Sequence, residues 1–74
     1  MNINYEITRK IAVLSGTEGA KTKELNLVKW GFYEPTFDIR RWEGGMPKKG
    51  ITLNREEAQM LLNSLKKELE GENT

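Results

Sequence analysis

The sequence lacks two residue types that carry much of protein chemistry. It has no cysteine, which excludes disulfides and thiolate sites. It has no histidine either, which removes the commonest metal ligand and the commonest general base at neutral pH. We therefore expect no metal ion and no cofactor.

Long apolar runs are also absent. No stretch approaches the roughly 18–20 apolar residues of a membrane-spanning helix. The first ten residues, MNINYEITRK, lack the apolar core of a signal peptide. These features predict a cytoplasmic protein with no membrane partner.

The chain is short for an independent hydrophobic core. Its 74 residues form one domain at most, and a core of this size rarely supplies more than about 3–5 kcal/mol of stability. Since disulfides are excluded, a second copy of the chain is the expected source of further burial. We predict a homodimer, with one domain over residues 1–71 and a frayed tail over 72–74.

Charge is distributed unevenly, although the net charge is only +1. Residues 1–53 carry nine Lys or Arg against six Asp or Glu, whereas residues 54–74 carry three against five. The basic charge thus belongs to the first part of the chain and the acidic charge to the last.

Alternating hydropathy and turn residues predict four strands. They lie at roughly 4–15, 23–30, 36–42 and 50–53, with a flexible loop between the third and the fourth. The short connections favour an antiparallel sheet.

A helix follows the strands. Asn54 is a good N-cap, and Glu57 approximates a capping box. The apolar stripe of this helix comprises Ala58, Leu61, Leu62, Leu65 and Leu69. The predicted fold is α+β: a four-stranded antiparallel sheet followed by one C-terminal amphipathic helix.

The third strand places unusual side chains on one of its faces. Phe37 and Ile39 share a parity that suits packing under the helix, so Arg40 and Trp42 face the other way. A tryptophan offers a flat π surface and an arginine a planar, charged fork. Together they can stack a base and hold a phosphate.

A second interpretation is that these side chains are structural. Trp42 would then fill a satellite cluster or a dimer interface, and Arg40 would pair with Asp38 or Glu43. Asp38 has no other partner evident in the sequence.

Further basic and aromatic residues are candidates for the same surface, because an aromatic-basic mixture is typical of sites for unstacked nucleic acid. They are Lys21, Lys23, Lys29, Trp30, Phe32, Tyr33, Lys48 and Lys49. Gly50 joins them because a backbone can approach a ligand closely at glycine. The alternatives are a solvated basic pair at 48–49 and a core position for Trp30.

The block DIRRW, the glycine turn, KKGITLN and the amphipathic helix resemble a known family. This is the single-strand-binding domain of the positive-cofactor-four transcriptional coactivators, and above all its small bacterial YdbC-like relatives. The resemblance covers about residues 23–69. It implies a curved sheet, a homodimer through helices and sheet ends, and two basic grooves for single strands.

The motif of this family falls on Arg40, Trp42, Lys49 and Gly50. Its second aromatic-basic turn corresponds to about residues 31–35, which read GFYEP here and leave open whether Phe32 or Tyr33 stacks. The acidic, serine-rich regulatory arm of the eukaryotic coactivators is absent, so coactivation itself is not implied.

The predicted function is sequence-tolerant binding of single-stranded DNA by a homodimer, in transcription, replication or repair. The alternatives are single-stranded RNA binding and a protein-interaction module that uses the exposed aromatics. We do not expect an enzyme or a small-molecule substrate. The serines have no histidine to activate them, and no phosphate-loop or dinucleotide glycine pattern is present.

Overall fold

The computed structural model describes residues 4–17 and 19–71. Its elements are β1 (Tyr5–Gly16), β2 (Lys21–Trp30), β3 (Thr36–Glu43), β4 (Met46–Leu53) and α1 (Arg55–Gly71). The strands form one antiparallel sheet in the order β1-β2-β3-β4. The predicted α+β fold is confirmed, whereas the predicted frayed tail at 72–74 lies outside the described residues.

The connection between β3 and β4 corrects the sequence prediction. We expected a flexible loop and a fourth strand beginning near Gly50, but β4 already begins at Met46. Gly44 and Gly45 complete the turn by themselves, with φ of 56° and 81°. Two consecutive positive φ values are the geometry of a two-residue hairpin turn. The basic pair 48–49 therefore lies on a strand.

That strand contains a β-bulge. Arg40 pairs with Gly50, but the next pair joins Trp42 to Pro47. β4 therefore has two residues, the basic pair 48–49, where β3 has one. Bulges bend a strand and redirect its side chains. We call Lys48 and Lys49 the basic bulge.

The predicted capping box begins α1. The Glu57 backbone N–H donates to Asn54 Oδ1 at 2.8 Å, and the Asn54 N–H donates to Glu57 Oε1 at 2.9 Å. These reciprocal bonds satisfy two backbone donors that the first helical turn leaves without partners. The start of α1 is thus fixed by local sequence.

The helix packs on one face of the sheet without closing over it. An apolar cleft of about 250 Å³ separates the two layers, lined by Leu25, Phe37, Ile39, Leu53, Ala58, Leu61, Leu62 and Leu65. This confirms the predicted parity of β3. No helical residue within the described part of the chain is buried, so the apolar stripe keeps much of its surface exposed.

The most buried residues lie on the opposite face of the sheet. Among the described residues the buried side chains are Thr22, Asn26, Val28, Asp38 and Trp42. All have the parity opposite to that of the cleft-lining residues on β2 and β3. Three of the five are polar, so this face is held together by hydrogen bonds as well as by apolar contact.

The edge strand β1 contributes to this second face. Its pairing with β2 contains three register shifts, which bend a strand and increase its twist. Strict alternation of side chains along β1 is therefore lost.

Within residues 4–17 and 19–71 there is no helix that combines the length and the apolar character needed to cross a membrane.

Candidate nucleic-acid interface

A fully buried carboxylate organises the face turned away from α1. Asp38 accepts hydrogen bonds from Arg40 Nε at 2.6 Å and Arg40 Nη2 at 2.7 Å, and from Trp30 Nε1 at 3.2 Å. The side chains of Asp38 and Arg40 are 0% and 14% exposed. The sequence-based alternative that Arg40 pairs with Asp38 is confirmed. Asp38 itself was not among the predicted site residues.

Arg40 is held in three directions. Besides its two bonds to Asp38, its Nη1 donates to the Lys48 carbonyl oxygen at 2.8 Å. Its Cζ lies 4.6 Å from the centroid of the Trp30 ring, which is a cation–π contact. The Nε–Nη2 edge of the guanidinium is thus engaged by Asp38 inside the protein, so this edge of the predicted phosphate fork is occupied.

Three aromatic rings form a row across this face. Trp30 and Tyr5 have ring centroids 5.3 Å apart, and Tyr5 and Trp42 have theirs 5.9 Å apart. We call Trp30, Tyr5 and Trp42 the aromatic row. Tyr5 was missed by the sequence analysis, because the register shifts of β1 are not visible as a hydropathy pattern.

The prediction that Trp42 offers an open ring is wrong for the single chain. Trp42 lies on the predicted face, but it is only 5% exposed. Tyr5 from β1 contacts it from one direction, and Pro47 pairs with it on β4. The interpretation of Trp42 as a packed residue therefore fits the structure better.

An open groove lies at the other end of the aromatic row. It has a volume of about 480 Å³ and is lined by Trp30, Tyr33, Glu34, Thr36, Arg40 and Thr52. Of the two aromatics in the turn after β2, Tyr33 lines this groove, whereas Phe32 is fully exposed and does not. Tyr33 is the better placed of the two for stacking.

A second concavity of about 310 Å³ adjoins Tyr5 and Trp42. Glu24 lines it and accepts hydrogen bonds from Thr22 Oγ1 at 2.5 Å and Asn26 Nδ2 at 3.4 Å. A carboxylate here repels phosphate, as Glu34 does in the groove beside Trp30, but Glu24 has no basic bulge near it in the lining of its concavity. Glu24 was not among the predicted site residues.

The basic residues lie in two groups, one on β4 and one on β2. Lys48 and Lys49 are exposed on the basic bulge, next to the backbone oxygen that receives Arg40. The lysines of β2 have the parity of Leu25, which lines the apolar cleft. The structure thus separates Lys21, Lys23 and Lys29 from the groove, and Lys29 Nζ donates to the Gly31 carbonyl at 2.8 Å.

Contacts within the chain explain why position 50 is a glycine. A β-carbon at this position would collide with the β-carbon and backbone of Arg40, its partner across the strands. The close backbone approach predicted for Gly50 is therefore an approach to Arg40. Glycine leaves the space in which the Arg40 side chain crosses toward Lys48.

No protein-family model matches this chain, and a search of the curated proteins finds no match either. The geometry and charge of the face turned away from α1 are therefore the basis for a functional assignment.

Proposed function

We propose that the protein is a homodimer that binds single-stranded DNA with little dependence on sequence, using the face turned away from α1. The observation that carries this proposal is the groove between Trp30, Tyr33 and Arg40, in which Arg40 is hydrogen-bonded to the backbone of the basic bulge. Aromatic platforms beside positive charge are the common means of holding unpaired strands. The resemblance to the positive-cofactor-four family supports the same function.

The shape of the site favours single strands over duplex. Ring faces are useful only to bases that are unstacked, as in single strands. Duplex DNA is usually read by a helix or a strand ribbon in the major groove. α1 is poorly suited to that role, because its first turn is acidic, its last turn has no basic residue and its apolar stripe borders the cleft.

The chemistry of the contacts favours tolerance of sequence. Stacking uses the π-face that every base has, and contacts to phosphate carry no base information. Lys48 and Lys49 would neutralise phosphates, while Tyr33 and the exposed part of the aromatic row would receive bases. Transcription, replication and repair are the processes in which such binding is used.

The open helix face supports the homodimer. Four large apolar side chains of α1 and β4, Ile51, Leu62, Leu65 and Leu69, are each at least half exposed. An apolar surface of this kind on a small domain marks an interaction site. A second copy would bring the same stripe, as a two-fold interface requires. Sedimentation at micromolar concentration should then give twice the chain mass.

The decisive experiment is a binding titration with single-stranded DNA, single-stranded RNA and duplex DNA of equal length, at low and moderate salt. We expect the single-stranded DNA to bind more tightly than the duplex, and its affinity to fall steeply with salt. Tighter binding of RNA would redirect the proposal to RNA. An affinity that is independent of salt, or no binding at all, would favour a protein-interaction module.

A further inference from the structure

We propose that Arg40 is a stacking platform rather than a phosphate clamp, and that Asp38 is the positioning residue that holds it. A base of the bound strand would lie flat on the guanidinium plane of Arg40. This inference rests on the proposed function and specifies how one base is received in the groove.

The hydrogen bonds of Arg40 occupy one of the edges with which a guanidinium can grip a phosphate. A guanidinium has five N–H donors, and it grips phosphate or carboxylate with two parallel bonds from one edge. In this protein the Nε and Nη2 donors are both bonded to Asp38, and Nη1 is bonded to the Lys48 carbonyl. The positive charge is also offset by the buried carboxylate. Three of the five N–H donors are thus engaged, and a paired charge attracts a phosphate less than a free guanidinium does.

The surface that remains is a flat face. One face of the guanidinium is covered by the Trp30 ring, at 4.6 Å from Cζ to the ring centroid. Arg40 still lines the groove and has 14% of its side chain exposed. Because one face lies against Trp30 and the Nε–Nη2 edge lies against Asp38, we assign the other face to the groove. Bases stack on arginine planes as they do on aromatic rings.

The surrounding residues keep the plane in place. Asp38 is fully buried and also accepts the hydrogen bond from Trp30 Nε1, so one carboxylate orients both layers of the stack. Gly50 leaves the room that Arg40 needs. Tyr33 lines the same groove and offers a second ring near the proposed base position.

The test compares the affinity for a strand that has bases with the affinity for a strand that has only the sugar-phosphate backbone. The double variant Asp38→Asn with Arg40→Met removes the plane, the fork and both charges, and leaves the net charge unchanged. Its affinity is measured for oligothymidylate and for an abasic strand of the same length. We expect roughly tenfold weaker binding of oligothymidylate, the usual size of one lost stack, and unchanged binding of the abasic strand.

The matched control lies on the same strand and the opposite face. Arg41 Nη2 and Glu43 Oε2 form an exposed ion pair at 3.2 Å with the same spacing along the chain. The double variant Arg41→Met with Glu43→Gln should bind both strands like the parent.

The single variant Asp38→Asn distinguishes a role of Asp38 in orienting Arg40 from a role in stabilising the fold. It removes the charge and one of the two acceptor oxygens that hold the Arg40 fork, so affinity for oligothymidylate should fall while affinity for the abasic strand stays the same or rises. A merely structural role would lower both affinities together. Circular dichroism establishes that each variant is folded. If the double variant is not, Arg40→Lys replaces it, because lysine keeps the charge beside Asp38 but has no plane.

Two results would overturn the inference. Equal losses for both strands would make Arg40 a phosphate contact, and no loss for either would remove it from the interface. If the parent protein binds neither strand, the proposed function fails instead, and the two failures are thus distinguishable.

Discussion

The two faces of the sheet are built on opposite principles. The face toward α1 is apolar but open, since Leu62 and Leu65 are half exposed or more. The face away from α1 is rich in polar groups, yet Asn26 and Asp38 are fully buried there. We call it the closed face, although the groove beside Trp30 opens at one end of it. Burial in this chain therefore does not follow hydropathy alone. Thr22 and Asp38 are buried with hydrogen-bond partners in the same copy of the chain, whereas within the described residues Asn26 Oδ1 and Trp42 Nε1 are buried without one.

This difference separates two sources of stability. On the closed face Asp38, Arg40 and Trp30 satisfy one another within the chain, so their contribution should not depend on protein concentration. On the open face the apolar side chains gain most when a second copy covers them. Stability that comes from association rises with concentration. Mutations on the two faces should therefore respond differently to dilution.

The largest effect is expected for Trp42→Ala, on the closed face. Truncating a buried aromatic residue usually costs about 3–5 kcal/mol of folding free energy, a large part of what so small a domain has. Chemical denaturation should show this loss at high and at low protein concentration alike. Phe32→Ala, at a fully exposed ring, is the control and should change stability by less than about 0.5 kcal/mol.

A small loss of stability for Trp42→Ala, together with a large loss of affinity for single-stranded DNA, would contradict the view that the face away from α1 is closed at Trp42. The closed face would then be open enough for Trp42 to stack with a base, as the sequence alone suggested.

The next effect tests the open face through Leu65→Glu. In the proposed dimer this position is covered, so the new carboxylate would lose its water without gaining a partner. Because a buried charge without a partner costs several kcal/mol, we expect dimerisation to weaken roughly 100-fold. Sedimentation velocity should then show monomer at concentrations where the parent is dimeric.

Asn63→Glu is the matched control for Leu65→Glu. Asn63 is exposed and lies two residues from Leu65, on nearly the opposite side of the helix. It introduces the same charge and should leave the dimer intact. If both variants stay dimeric, or if the parent is a monomer, the open face is not the subunit interface.

Most of the fold could be predicted because its signals are local. The alternation in β3, the stripe of α1 and the capping box at Asn54 each depend on residues a few positions apart. The predicted length of β4 was wrong, although the sequence contains the signal for the tight turn before it. Two adjacent glycines were interpreted as a flexible loop, whereas Gly44 and Gly45 form a two-residue turn.

The site was harder to predict because it depends on distant parts of the chain. Parity places Trp42 on a face, but it does not say what covers that face, and the cover includes Tyr5 from a strand with three register shifts. The lysines of β2 were misplaced because apolar residues occur there in both parities. Only the pairing of β2 with β3 decides which face Lys21 and Lys23 occupy.

A third prediction concerns the groove on the closed face. Tyr33→Ala should weaken binding of single-stranded DNA by about 1–3 kcal/mol, the usual range for one base–aromatic stack. Phe32→Ala should have little effect, because Phe32 belongs to the same turn but does not line the groove. Fluorescence anisotropy with one labelled oligonucleotide measures both variants. The opposite ranking would move the binding surface to the outer side of the turn.

The smallest effect compares the two pairs of lysines on β4 and β2. The double variant Lys48→Ala with Lys49→Ala should weaken single-strand binding on the order of tenfold at moderate salt. The double variant Lys21→Ala with Lys23→Ala removes the same charge from residues with the parity of the apolar cleft. It should leave affinity nearly unchanged. Both pairs are exposed, so neither variant should lose more than about 0.5 kcal/mol of stability.

The salt dependence of binding by these two variants distinguishes direct contacts between lysine and phosphate from long-range electrostatic attraction. For single strands each neutralised phosphate contributes about 0.7 to the logarithmic salt slope. Loss of two direct contacts at Lys48 and Lys49 should therefore reduce the slope by about 1.4, while the slope for the Lys21 and Lys23 variant stays that of the parent. Charges farther away than about 8 Å are largely screened at physiological salt. Equal slopes for the two variants would mean that the bound strand does not distinguish the two pairs of lysines, and its path would then not follow the basic bulge.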